Sequence, residues 1–310
     1  MKPFIKWVGG KTQIIEDVLG LFPSNITNYH EVFVGGGSVL LSVLSRGLVN
    51  GKVFAYDLNG SLIALYKNIQ STPTEVHAHL TKLYEEYESC SGVVVNRKPQ
   101  TLEEAKESKE NYYYWARQRF NTERVETPQR SAMFIFLNKM CFRGVYREGP
   151  NGFNVPYGHY KTTPAQITLE ELTEVSELIK DVEFRQCDFR EAFENMGGGD
   201  FTYLDPPYAP ETKTSFVGYT KDGFGLKDHE ELFELTKKSG VDFVMSNAKV
   251  DLVVNTFSDY KIKELEARRA INSKNPESRT TEVLVSSSMN RWDGNPFHTP
   301  SGLFSFPKRF

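Results

Sequence analysis

Residues 201–208 read Phe-Thr-Tyr-Leu-Asp-Pro-Pro-Tyr, and this stretch restricts the fold more than any other in the chain. An apolar run entered from Gly197-Gly198-Gly199-Asp200 predicts a buried strand that leaves a tight loop. Two prolines then end it, since neither can donate to a sheet ladder and each holds its predecessor extended. Asp205, Pro206, Pro207 and Tyr208 are thereby placed at the C-terminal end of a strand, where open α/β sheets bind their ligands.

That group suits transfer to a planar exocyclic amine, whose lone pair is delocalised into its ring. Two acceptors, the Asp205 carboxylate and the Pro206 carbonyl, can hold both N–H groups and aim the lone pair at an electrophile. The Tyr208 ring can stack on the base that carries the amine. The simpler reading is a Pro-rich turn with Asp as turn former; the apolar strand in front of it favours a site.

A second strand, His30–Val34, runs into Gly35-Gly36-Gly37, with Ser38 expected as N-cap of a helix over 39–44. Strand, glycine loop and helix bring backbone N–H groups against a nucleotide-like ligand. The next strand, Lys52–Tyr56, ends in Asp57, a place and spacing suited to a ribose diol. A strand over Val182–Cys187 delivers Asp188, either as an acceptor for an adenine amino group or as the cap of a helix over Arg190–Asn195. Near the N-terminus, Gly9-Gly10-Lys11 before a helix over Thr12–Leu21 forms an anion-binding turn. It is not a P-loop, because the earlier glycine that motif requires would fall at Ile5. Taken alone, Lys6, Trp7 and Lys11 read as a solvated arm with one packed indole.

The remaining segments set the organisation. Helices are expected over Asn59–Gln70, Thr72–Tyr87, Glu103–Phe120 and Ser131–Met140, with a loop over Cys90–Thr101 and the Tyr112–Trp115 cluster in the core. A β-hairpin follows over residues 141–158, its irregular tip carrying Phe142, Arg143 and Arg147. Arginine can pair with guanine in a major groove and an aromatic ring can wedge into a base stack. Thr214–Leu226 is a candidate flap, Asp228–Lys238 a helix, Val241–Met245 a strand ending in Ser246-Asn247. Tyr260–Glu266 and Thr281–Ser287 are expected as paired strands around a basic loop, Arg268–Lys274. The expected division is 1–70 and 166–288 as the two parts of a catalytic α/β domain, 71–165 as a helical and hairpin insert, and 289–310 as a tail without a role.

With 310 residues there is length for a large core, and a net charge of −3 provides no global field for nucleic acid, so any such contact must be local. Cys90, Cys141 and Cys187 are odd in number and lack metal-type spacing, which fits reduced thiols in a cytosol-like compartment. No spanning segment or signal pattern is visible, so no membrane partner is expected.

In this order, four segments make the chain resemble the Dam-type (D12 class, alpha-group) DNA adenine-N6 methyltransferases: Phe4–Lys11, Phe33–Ser38, Phe153–Gly158 and Asp205–Tyr208. The resemblance implies a Rossmann-like sheet with an inserted target-recognition region, and S-adenosyl-L-methionine as cofactor. It implies that Trp7, Lys11, Phe33, Gly35, Gly37, Ser38, Asp57, Asp188 and Asp205 bind that cofactor, with Asp57 on the ribose and Asp188 on the adenine. Asp205, Pro206, Pro207 and Tyr208 would take a flipped target adenine. Lys6, Phe142, Arg143, Arg147, Asn154 and Pro156 would meet double-stranded DNA. No metal is required, and a cognate restriction endonuclease would be a separate chain. Family members that methylate GATC carry Tyr-Asn-Gly where this chain has Phe142-Arg143-Gly144, a form more like relatives acting on CATG. Two alternatives stay open: an RNA methyltransferase acting on guanine N2 or adenine N6, and a non-catalytic DNA-binding module.

Overall fold

The computed structural model describes residues 1–209, 223–268 and 279–287. Within them the strands are Tyr29–Glu31 (β1), Val53–Asp57 (β2), Glu148–Gly149 (β3), Gly152–Phe153 (β4), Val182–Gln186 (β5), Phe201–Leu204 (β6), Asp242–Ala248 (β7), Lys261–Arg268 (β8) and Arg279–Ser286 (β9). The helices are Ile15–Leu19 (α1), Ser38–Ser45 (α2), Gly60–Ser71 (α3), Pro73–Glu88 (α4), Leu102–Lys106 (α5), Lys109–Thr122 (α6), Pro128–Met140 (α7), Leu169–Ile179 (α8), Phe189–Glu194 (α9), Leu226–Lys238 (α10) and Asp251–Thr256 (α11).

Seven strands form one sheet in the order β5-β2-β1-β6-β7-β9-β8. The first five are parallel, and β9 runs antiparallel between β7 and β8. From β1 the chain winds outward through β2 to β5. It then returns and winds the other way from β6 to β7. The reversal falls at the carboxyl ends of β1 and β6, where open α/β sheets place a ligand crevice. All four residues of β6 are buried, as an apolar run covered on both faces requires. Asp188, Asp57, the glycine loop and Asp205 therefore stand side by side along one edge of the sheet.

Helices α4 to α7 and the small β3–β4 hairpin occupy the interval between β2 and β5. Their Tyr87, Tyr112 and Phe136 belong to the same apolar cluster as Tyr29, Leu40 and Tyr66 around the sheet. Tyr112 meets Phe136 edge-on at 5.9 Å, so the tyrosine-rich segment is core, as its sequence predicts. Phe233, Phe243 and Phe257 anchor a second cluster.

Several boundaries differ from the sequence expectation. The helix over Thr12–Leu21 is a 3₁₀ turn, Lys11–Gln13, followed by the short α1. The strand expected over His30–Val34 is Tyr29–Glu31, because Val32 to Val34 already turn into the glycine loop. The helix over Glu103–Phe120 is two helices. Ser108 interrupts it by accepting a hydrogen bond from the Asn111 amide as the N-cap of α6. Ser38 is the first residue of α2, not its cap. Gly37 holds the cap position at φ 70°, and the Ser38 hydroxyl accepts instead from the Lys11 amide. The expected hairpin is mostly loop, with two-residue strands and a Cys141–Tyr157 bridge at its base. Two helices escaped sequence reading: α8, which opens on a Thr168/Glu171 capping box, and α11. Most of the flap expected over Thr214–Leu226, most of the basic loop and the whole tail lie outside the described residues.

Candidate active site

Asp205 leaves the end of β6 with its carboxylate about one-fifth exposed. Lys11, almost fully buried, reaches it with Nζ 2.7 Å from Oδ2 and also donates to the Gly9 carbonyl at 2.5 Å. Burial pushes the Asp205 carboxyl up to about 6, against the pull of the Lys11 ammonium and with a further push from Glu282. The group is thus an anion at neutral pH, held close to its point of protonation.

The residues after Asp205 are fixed from three directions. The Tyr208 hydroxyl donates to Glu282 Oε2 on β9 at 2.7 Å. The buried His229 of α10 lies between two carbonyls, with Nε2 2.8 Å from Pro207 O and Nδ1 2.8 Å from Gly225 O. Asn247, at the end of β7, accepts through Oδ1 from the Ala209 amide at 2.9 Å. A rigid loop with an acid, a peptide oxygen and a ring is what precise positioning of an amine demands.

Beside it, the β1–α2 loop is shaped by glycine. Gly35 and Gly37 sit at φ 48° and 70°, a region that side chains other than Asn and Asp strongly avoid. Close approach adds a second requirement, since a Cβ on Gly35 would lie 2.7 Å from the Trp7 indole. The Asp57 carboxylate accepts from the Gly35 amide at 3.0 Å and the Asn59 amide at 2.9 Å. Burial raises its pKa and those backbone donors oppose the rise. Tyr66 donates to the Gly35 carbonyl at 2.9 Å. Phe33 packs near Phe189 and Phe224. Asp188 is the N-cap of α9, accepting from the Arg190 amide at 3.0 Å, and its Oδ1 also receives the Arg190 guanidinium at 2.9 Å.

The N-terminal arm joins this crevice to the insert. Trp7 stacks on Tyr146 with ring centres 5.3 Å apart. The Lys6 backbone pairs with the Asn138 side chain in both directions, and its methylenes lie against Gly144, where a Cβ would meet Lys6 Cδ at 2.5 Å. Phe142 is half exposed, with the Arg143 guanidinium 5.2 Å from its ring centre, and Arg143 itself stands at φ 61°. Four of the expected contact residues are engaged with one another within the hairpin. Asn154 Oδ1 accepts from Arg147 Nε at 2.7 Å, and the Pro156 carbonyl accepts from the Phe142 amide at 2.9 Å.

The structure adds residues that sequence reading did not single out: Glu31, Tyr66, His229, Asn247 and Glu282. The signal for Glu31 was an acid within the expected strand His30–Val34, directly before the apolar Val32-Phe33-Val34. It is buried, takes the Tyr29 hydroxyl at 2.7 Å, and burial pushes its carboxyl up to about 8. His229 and Glu282 carried no such signal, because each is brought to the site only by the packing of α10 and β9.

Comparison with known proteins gives the family. The family profile described as D12 class N6 adenine-specific DNA methyltransferase matches residues 7–271. The chain is 36% identical over 287 residues to the type II methyltransferase M.MjaIII of Methanocaldococcus jannaschii, covering 88% of this chain and 94% of that one. It is 30% identical over 284 residues to the DNA adenine methylase of Haemophilus influenzae, covering 90% of each. The type II methyltransferase M1.LlaDCHI of Lactococcus lactis subsp. cremoris is 28% identical over 296 residues, with 92% and 95% covered. The chain belongs to the D12 class of N6 adenine-specific DNA methyltransferases, which act with S-adenosylmethionine.

Proposed function

We propose that this enzyme methylates N6 of an adenine turned out of a short duplex palindrome, CATG in preference to GATC. The observation that carries the proposal is the Asp205 carboxylate standing next to the Pro206 peptide and the Tyr208 ring at the β1/β6 switch point. These are two acceptors and a stacking face for an amino-bearing base.

The crevice fits the cofactor. Gly35, Gly36 and Gly37 are buried and let the Trp7 indole and the Tyr66 ring close on the loop backbone, and the carboxylates of Asp57 and Asp188 keep lone pairs for hydroxyl and amino donors. Trp7, Phe33, Gly35, Gly37, Ser38, Asp57 and Asp188 would hold it, together with Lys11 and Asp205. Bound there, S-adenosylmethionine would supply an electrophilic methyl group on a sulfonium, whose S–C bond breaks on transfer to leave a neutral thioether. Asp205 and the Pro206 carbonyl take the two N6 hydrogens and turn the lone pair toward that methyl. As the N–C bond forms, the nitrogen becomes acidic and releases one proton toward the Asp205 carboxylate. Tyr208, with its hydroxyl tied to Glu282, supports the base from its face.

Residues 71–165 are the target reader in this account, and 1–70 with 166–288 the catalytic part. Arg143 supports the choice of CATG. Its left-handed backbone suits Asn or Gly, so an arginine there is favoured by its guanidinium, not by local conformation. The likeness to type II methyltransferases supports a cognate restriction endonuclease as a separate chain. Plasmid recovered from cells expressing the enzyme, digested with nucleases blocked by adenine methylation at CATG or at GATC, tests the site. Protection at CATG alone is expected; protection at GATC alone overturns the assignment.

A further inference from the structure

One polar atom beside this site is unused. Asn247 is wholly buried, two residues beyond Met245, which pairs with Leu204 at the end of β6. Its Oδ1 accepts from the Ala209 amide at 2.9 Å and the Ala248 amide at 2.8 Å. Those two donors fix which end of the amide is oxygen, because the reverse orientation would set NH₂ against two N–H groups. Nδ2 is then buried without an acceptor among the described residues. Holding Ala209 and Ala248 needs only the oxygen, and a buried unpaired donor is destabilising. An acceptor that arrives with the substrate accounts for it.

We infer that Asn247 Nδ2 is a further contact to the target base, donating to a ring nitrogen beside N6. The inference rests on the reading of Asp205 and Pro206 given above. Those two residues present acceptors, which suits the N6 donors. The ring nitrogens flanking N6, N1 and N7, are acceptors and call for a donor. The Tyr208 hydroxyl is taken by Glu282 and both His229 nitrogens face carbonyls, whereas Asn247, bonded to the residue after Tyr208, has a donor to spare. Placed on N1, the contact also selects adenine over guanine, whose N1 carries a hydrogen.

A double-mutant cycle between Asn247→Asp and a deaza base tests this. Aspartate keeps an oxygen for Ala209 and Ala248 and removes the NH₂, and the cycle is run at about pH 9 so that the new carboxyl is ionised and offers no donor. Duplexes built around the methylated adenine, located by sequencing, carry adenine, 1-deazaadenine or 7-deazaadenine there, and tritiated methyl transfer is followed in single turnovers. The N247D enzyme should be roughly tenfold slower on adenine, the scale of one neutral hydrogen bond. One deaza base should slow the wild type by a similar factor and N247D no further. If both deaza bases slow the two enzymes by equal factors, the contact does not exist and Asn247 is only a clamp. Should a thermal melt show N247D unfolded, Asn247→Ala enters the same cycle and is read the same way. A wild-type enzyme that leaves N6 of the adenine duplex unmethylated would overturn the underlying site instead.

Discussion

Lys11 Nζ lies 2.7 Å from Asp205 Oδ2 and 5.1 Å from the centre of the Tyr208 ring. The ammonium thus stands where the target base is proposed to lie, donating an N–H to the acid and lying over the ring. In this arrangement Lys11 keeps a largely buried carboxylate ionised until the base arrives.

Replacing Lys11 with Met should raise the Asp205 pKa beyond its present value of about 6. Activity that needs the carboxylate is lost as pH falls through that pKa, so the acid limb of kcat/KM should move to higher pH. The variant should be less stable than wild type by about 3 kcal/mol at pH 8, since one partner of a buried pair is gone. That deficit should shrink toward pH 5, where Asp205 takes up its proton. Methyl-transfer profiles and thermal melts from pH 5 to 9 check both; an unmoved acid limb contradicts the pairing.

Glu282 holds the Tyr208 hydroxyl and also pushes the Asp205 pKa up. Glu282→Gln keeps an acceptor for Tyr208 and removes the charge, so its acid limb should move to lower pH with the rate at pH 8 largely kept. Glu282→Ala should lower kcat/KM for DNA roughly tenfold through the freed ring, with cofactor affinity unchanged. Equal losses in both variants would mean that the charge, not the tether, is what Tyr208 needs.

Glu31 keeps its proton up to about pH 8 in the folded chain, while an unfolded glutamate releases it near 4.5. Between those values the native state binds more protons, so this group makes stability fall as pH rises. Glu31→Gln removes the titration and leaves oxygen for Tyr29. Its melting temperature should decline less than that of wild type between pH 5 and 8.5. Parallel curves would show that Glu31 is already ionised in the fold.

Arg143 at φ 61° separates stability from site choice. Arg143→Asn fits the left-handed backbone better and should stabilise the protein by about 1 kcal/mol. The same change should relax or alter the sites methylated, as read by sequencing plasmid from expressing cells. An unchanged set of sites would remove this hairpin from target recognition.

Much of the catalytic edge is legible in the sequence because it is local. Pro206 and Pro207 stop a strand, glycines at 35 and 37 turn one, and Asp57 ends another. What stayed hidden depends on packing between distant segments. Nothing near His229 announces that α10 will set it under Pro207, and nothing near Glu282 announces Tyr208. Ser38 looked like a cap because it precedes a helix, yet Gly37 holds that position and leaves the Ser38 hydroxyl to Lys11. The break at Ser108 was readable in principle, since a serine with a free amide three residues on competes with helix continuation.

The central claim is that Asp205 and the Pro206 carbonyl grip the amine that is methylated. Its most direct test is tritiated methyl transfer to duplex DNA by Asp205→Ala, with S-adenosylmethionine affinity measured on the same preparation. The cofactor should still bind, because Asp205 is only one of the nine residues assigned to it, while transfer should fall at least about a thousandfold, the scale of losing an acid–base and orienting group. Transfer at the wild-type rate would contradict it.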